Sequence, residues 1–293
     1  MTVVTTPGRR PSAIVRLFGD GLTLIGRELA RLKAEPGQIV AALLFPVVMV
    51  VLFGYVFGSA IEVPGGGDYR EYLMPGLFAM VVFTAAQGVM TRMAADASRG
   101  VMDRFRSMPT ARLAVPFAQT GADAVTGLPL LALMVGAGLL VGWRPHRGVA
   151  LTAAAFLLIV LLRYALGWLG VYLGLLVKDE RLAAQLVPLF LPVTMLSNAF
   201  VPTDGMPAWL RLVCDWNPVS AITAAARNLF GGPGSQTAHA AHAAHTEQIA
   251  NTAHHGNMAW PVEHPVIAVL LWSAGLLLVF VPLSVRAHTR WGR

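Results

Sequence analysis

Between Val149 and Val177 the chain carries one charged side chain, Arg163, in a run long enough to cross a lipid bilayer as a helix. Further apolar runs of spanning length occupy residues 38–61, 72–90, 113–141, 182–200 and 265–285. Hydrocarbon offers the backbone no hydrogen-bond partner, so such runs must satisfy their own N–H and C=O groups, which a helix does locally. The expected class is an all-α membrane protein with six transmembrane helices in a single domain over residues 1–293. Composition points the same way. With 56% hydrophobic residues, 13% charged and a mean hydropathy of +0.62, there is too little polar surface to cover a water-soluble globule.

The segments outside the spans have their own patterns. In residues 13–34, Ile14, Val15, Phe18, Leu22, Ile25, Leu29 and Leu32 step by three and four, with Arg16, Arg27 and Arg31 on the other side. This predicts an interfacial helix lying flat on the membrane, its arginines among anionic headgroups. No cleaved secretory segment is expected ahead of it, because Arg9 and Arg10 lead straight into this charged stretch. Residues 91–112 form a charged island. Arg92, Asp96, Arg99, Asp103 and Arg106 recur at helical spacing, with Met93, Ala97, Val101, Phe105 and Met108 between them, and Pro109 is expected to end the helix. Residues 201–263 break into short pieces, 208–215 and 219–230, too short to cross and carrying Trp209 and Trp216, followed by a loop rich in Gly, Ala and His.

Sixteen of the 22 lysines and arginines fall on one side of the six-span arrangement, five on the other, and Arg163 within a span. The positive-inside bias then places both termini and the island in the cytoplasm. The same topology accounts for the net charge of +7, and no basic domain is present to hold a nucleic acid. No G-x-x-x-x-G-K-[ST] occurs, so ATP is not expected to bind this chain. No Ser/His/Asp or two-His-plus-Glu arrangement stands at bilayer depth, so an enzyme is not expected either. Cys214 is the single cysteine, read as a small buried residue or a free thiol. His239, His242 and His245 could hold a transition metal if their loop turned helical. The alternative, a solvated low-complexity loop, has the stronger support, since no acidic or Cys ligand is fixed nearby.

Asp123 and Arg163 are the full charges inside spans. An unpaired guanidinium at that depth costs from about 2.5 kcal/mol upward. Asp123 lies ten residues from the cytoplasmic end of its span and Arg163 fourteen from that of the next, so their depths differ by roughly 6 Å. A buried pair is expected, acting as a structural lock or as part of a substrate route. Gln87 and Asn198 are open to a similar choice, lining a route or joining helices by hydrogen bonds.

The order of a flat N-terminal helix, a first span, Tyr72-Leu-Met-Pro-Gly-Leu-Phe78, Gly100-Val-Met-Asp-Arg-Phe-Arg-Ser-Met-Pro109 and Trp216-Asn-Pro-Val219 resembles the permease subunit of type-2 ABC exporters, most of all their daunorubicin-resistance branch. Ser98 departs from the pattern, standing where many relatives carry a glutamate. The resemblance implies a bacterial plasma-membrane protein in which two permeases, identical or sister chains, pair above two ATPase subunits that bind ATP and Mg. It implies a coupling helix that enters a cleft on the ATPase, here Arg99, Asp103, Arg104, Phe105, Arg106 and Met108, with the helix of Arg16, Arg27 and Arg31 also touching it. It further implies an external re-entrant gate around Trp209, Trp216, Asn217 and Pro218. The residues alone leave simpler readings open, a topogenic loop for the island and interfacial anchoring for the tryptophans. The function expected is export of an amphipathic drug or lipid-like molecule driven by a partner ATPase. The alternatives are an ion-coupled carrier using Asp123 and a membrane scaffold for a cytoplasmic partner.

Overall fold

The computed structural model describes residues 69–100, 114–199, 206–232 and 259–290, with positions 26, 30, 37, 44 and 47–52. Among these the chain is helical, with no strand. Among the described residues four helices are long and apolar enough to cross a membrane. They are α1 (Tyr69–Ser98), α2 (Ala114–Val141), α3 (Val149–Val177) and, last in the chain, α9 (Pro265–Arg290). Between them lie α4 (Glu180–Leu186), a 3-10 turn (Val187–Leu189), α5 (Phe190–Met195), α6 (Ala208–Asp215), α7 (Pro218–Phe230) and α8 (Trp260–Glu263). Residues 47–51, part of the first expected span, are helical, and Val50 packs into the core.

The central element is α1, which is buried over most of its length, whereas α9 buries little. It packs most extensively on α3, and glycines set the approach. A Cβ at Gly170 would collide with the Ala86 carbonyl, and one at Gly174 would lie 2.6 Å from Met93 Cβ and 2.7 Å from the Met90 carbonyl oxygen. Without a hydrophobic force between helices in lipid, such small-residue contacts are what let backbones approach and dispersion act. Toward the end where α1 begins, Phe78 is the hub of an edge-to-face cluster with Trp143, Phe156 and Phe230.

Two expected boundaries change. The second span was expected to end at residue 90 and a separate amphipathic helix to follow, but α1 runs on to Ser98 and breaks at Gly100, which takes the left-handed φ of 67°. The island's first charges therefore belong to a buried helix, and Asp96 is only 6% exposed. In the run 182–200, expected as the fifth span, the helix is interrupted: α4, the 3-10 turn and α5 follow one another from Glu180 to Met195. Pro188 and Pro192 have no N–H to give to the preceding turn, so the helix tightens to a 3-10 turn and stops at Met195.

Candidate functional site

Two rungs join α1 to α2, because each helix presents polar residues one turn apart. Arg92 Nη2 donates to Asp123 Oδ1 at 2.7 Å, and Gln119 Nε2 donates to Asp96 Oδ2 at 2.9 Å. From α3, Arg163 Nη2 lies 2.9 Å from Asp123 Oδ2, so one carboxylate holds two guanidiniums on three helices. Arg163 Nη1 donates to the Thr84 hydroxyl at 3.0 Å and to the Val81 carbonyl. Gly127 leaves room for this head group, since a Cβ there would collide with Arg163 Nε. Asp123 and Arg163 are both buried. In low dielectric, ions of this kind are tolerated only when paired and hydrogen-bonded, and the geometry supplies both.

Next to this cluster, between α1 and the broken α4–α5 segment, lies a cavity of about 290 Å³. Met80 and Phe83 of α1, Met134 of α2 and Leu191 of α5 make its walls apolar, and Thr84, Gln87 and Thr194 add uncharged polar spots. Thr84 belongs to both places: it is exposed in the cavity wall, and its hydroxyl accepts from Arg163. Gln87, read from sequence as lining a route or joining helices, is on the wall.

At the other end of the bundle Asn217 caps two helices at once. Its amide nitrogen donates to the Val193 and Leu196 carbonyls, which the end of α5 leaves free, and its oxygen accepts from the Val219 N–H at the start of α7, where Pro218 is the first helical residue. Arg227 of α7 is buried, and among the described residues no carboxylate pairs with it. Its guanidinium donates to the carbonyls of Tyr72, Asn198 and Ala199 and sits 3.7 Å from the centroid of the Tyr72 ring. Trp209 and Trp216, by contrast, are 69% and 52% exposed, on one face with Leu212 and Val213.

Of the residues expected from sequence, the structure brings together Asp123 and Arg163, and separately Asn217 with the α5 terminus. Arg99 lies just past the end of α1, its Nη2 3.0 Å from Glu180 Oε2. Asp103, Arg104, Phe105, Arg106 and Met108 lie outside the described residues, as do Arg16, Arg27 and Arg31 and the loop with His239, His242 and His245. Among the described residues no group of three or more His, Cys, Asp or Glu could hold a metal ion. Sequence reasoning missed Arg92, Asp96 and Gln119. The signal was available, since Arg92/Asp96 and Gln119/Asp123 are both spaced by four, as helix neighbours are. It also missed Arg227, one of the five basic residues counted on the external side, and no sequence signal would have shown it buried.

The profile of the ABC-2 type transporter family matches residues 21–230. The chain belongs to that family. The permease is 27% identical to the daunorubicin resistance ABC transporter permease protein DrrB1 of Streptomyces coeruleorubidus, over 98% of this chain and 92% of the relative. It is 22% identical to the probable doxorubicin resistance ABC transporter permease protein DrrC of Mycobacterium tuberculosis, over 95% of this chain and 91% of the relative. A shorter match, 23% identical over 67% of this chain and 69% of the relative, is to the putative transport permease ycf38 of Cyanophora paradoxa. The permease is thus a type-2 ABC transporter subunit of the branch that includes the daunorubicin and doxorubicin resistance permeases, a multi-pass membrane protein of a family whose members are membrane subunits rather than ATPases. The family implies an ABC ATPase partner and a pairing of permeases.

Proposed function

We propose that the permease exports an amphipathic drug or lipid-like molecule from the cytoplasm through a route that includes the cavity between α1 and α5. The observation that carries this reading is the cavity itself, an apolar space with the uncharged hydrogen-bonding groups of Thr84, Gln87 and Thr194. Two copies of a separate ATPase bind ATP and Mg and dock on residues 91–112, with Arg99, Asp103, Arg104, Phe105, Arg106 and Met108 at the contact and Arg16, Arg27 and Arg31 beside it. A second permease, identical or a sister chain, completes the transporter. Six spans with both termini in the bacterial cytoplasm are formed by the four long helices, residues 38–61 and the broken run from Glu180 to Ala199. Asn217 and Pro218 hold a re-entrant gate whose Trp209 and Trp216 face lipid.

The arrangement around Asp123 speaks against an ion-coupled carrier. Both oxygens of Asp123 are engaged by guanidiniums, and its side chain is not among those that line the cavity. The test is reconstitution of the permease with its ATPase in liposomes and uptake of a fluorescent amphipathic probe. Leu191→Trp, which fills the cavity, should cut uptake at least tenfold while ATP hydrolysis continues. Phe105→Asp should abolish uptake with the protein still inserted. Wild-type transport by Leu191→Trp overturns the route, and wild-type transport by Phe105→Asp overturns the docking site.

A further inference from the structure

We infer that Thr84 and Thr194 make the cavity selective for molecules that present a neutral hydrogen-bond donor, a hydroxyl or an N–H, because both threonine hydroxyls have already given their proton away. The inference rests on the reading of the cavity as a substrate site and names what that site recognises. A hydroxyl has one proton to give and two lone pairs to receive with. Thr84 Oγ1 donates to the Val81 carbonyl at 2.7 Å, three residues back on α1, and Arg163 Nη1 donates to the same hydroxyl oxygen at 3.0 Å. Neither bond can run the other way, since a carbonyl has no proton to give and a guanidinium has no lone pair to receive with. Thr194 is in the same condition: its Oγ1 donates to the Phe190 carbonyl at 3.1 Å, four residues back. Bonds of this kind, to a carbonyl one turn earlier, are open to any threonine inside a helix. Both residues line the cavity. Thr84 therefore has one lone pair left for a ligand and Thr194 has two, with no proton on either.

The consequence is a polarity of recognition. Gln87, also on the wall, carries both an N–H and a carbonyl oxygen and can meet either kind of group, but the threonines cannot. A ligand hydroxyl docked against them completes a hydrogen bond, whereas a ketone oxygen brings lone pairs against lone pairs in a wall that is otherwise apolar. Enclosing a polar group without a partner costs enough to shift a dissociation constant on the order of tenfold. Thr84→Val and Thr194→Val remove the acceptor at nearly constant shape, and Arg163 keeps Asp123 and the Val81 carbonyl when Thr84 is replaced. Thr84→Ser and Thr194→Ser keep the hydroxyl, and with it the bond to the earlier carbonyl.

The experiment uses the full-length permease in nanodiscs of uncharged lipid and two neutral fluorescent probes on one aromatic ring system, one bearing a secondary alcohol and the other a ketone at the same carbon. The quantity read is the ratio of their dissociation constants, after partition into empty nanodiscs is subtracted. Wild type should bind the alcohol on the order of tenfold more tightly than the ketone. Thr84→Val and Thr194→Val should each lower that preference, and the two together should bring the ratio close to one, while the serine variants hold the wild-type ratio. A purely structural threonine would move both dissociation constants together. If Thr84→Val yields no folded protein, Thr194→Val decides. Equal binding of the two probes by wild type overturns the inference, and so does a preference that survives valine at both positions. Leu191→Trp separates this from the reading beneath it: binding of both probes unaffected by that substitution means the cavity is not the site, whereas loss of both probes with an unmoved ratio in the valine variants defeats the donor selectivity alone.

Discussion

Asp123 serves two arginines in unequal surroundings, and this decides what a substitution does. The Arg92 side chain is 31% exposed, so water shares its charge, while Arg163 is enclosed and its other acceptors are the neutral oxygens of Thr84 and Val81. Removing Arg163 leaves Asp123 still paired with Arg92. Removing Asp123 strands Arg163, and an uncompensated buried charge costs about 3–5 kcal/mol. Asp123→Ala should therefore lower the yield of folded protein and its thermal midpoint more than Arg163→Ala does, measured by fluorescence size exclusion after heating. A lock of two members would give the opposite ranking, with Asp123→Ala rescuing Arg163→Ala. Finding that order would reduce Arg92 to a bystander. The depths of Asp123 and Arg163 could be compared along the sequence, and the four-residue spacing of Arg92 and Asp96 was readable too, but not that their helix is the continuation of the second span, which carries them into the bundle.

Continuity distinguishes the elements from one another. Along α1 the cavity wall at Thr84 and Gln87 and the charges at Arg92 and Asp96 lie on one unbroken helix that ends just before Gly100, so displacement at that end is transmitted to the wall. The facing segment is the opposite, two short helices joined at the 3-10 turn Val187–Leu189, where a proline-weakened helix bends at low cost. What fixes α1 in place is its contact with α3 through Gly170 and Gly174. Gly174→Val drives a side chain against Met93 and the Met90 backbone, and overpacking of this kind costs about 1–3 kcal/mol or more when backbone must shift. The same change at Gly275, where nothing lies within 4 Å, carries the propensity effects without the collision. Thermal unfolding in detergent should separate the two by several degrees, and equal midpoints would mean that the close approach does not hold the pair together. The apolar content of these runs was readable as spanning, yet hydropathy ranks a proline-broken run with an intact one, which is why the break at Val187–Leu189 was not legible.

For the whole molecule, orientation is the property that charge counting addresses most directly. Arg147, which donates to the Asn228 carbonyl, sits at the end of the bundle assigned to the exterior, and Lys178, at the left-handed end of α3, sits at the end assigned to the cytoplasm. Cys214 is a quiet background for testing this: it is buried beside Met206, and burial, with Asp215 next to it, pushes its thiol up, so little thiolate forms at neutral pH. In intact cells a membrane-impermeant maleimide should label Arg147→Cys and spare Lys178→Cys until the membrane is opened. Labelling of Lys178→Cys from outside would invert the topology. The sequence by itself determined the all-helical membrane class, apolar runs that include each of the four long helices described, and the family. These follow from composition, run length and local motifs, which act within one helix or between a helix and the bilayer. Only the tertiary structure decided that Arg92 and Asp96 turn inward, that Arg227 is buried on backbone carbonyls, and that Thr84 joins a charge cluster to a cavity. Each of these depends on which side chains from distant helices meet once water is excluded, and no periodicity along one helix records that.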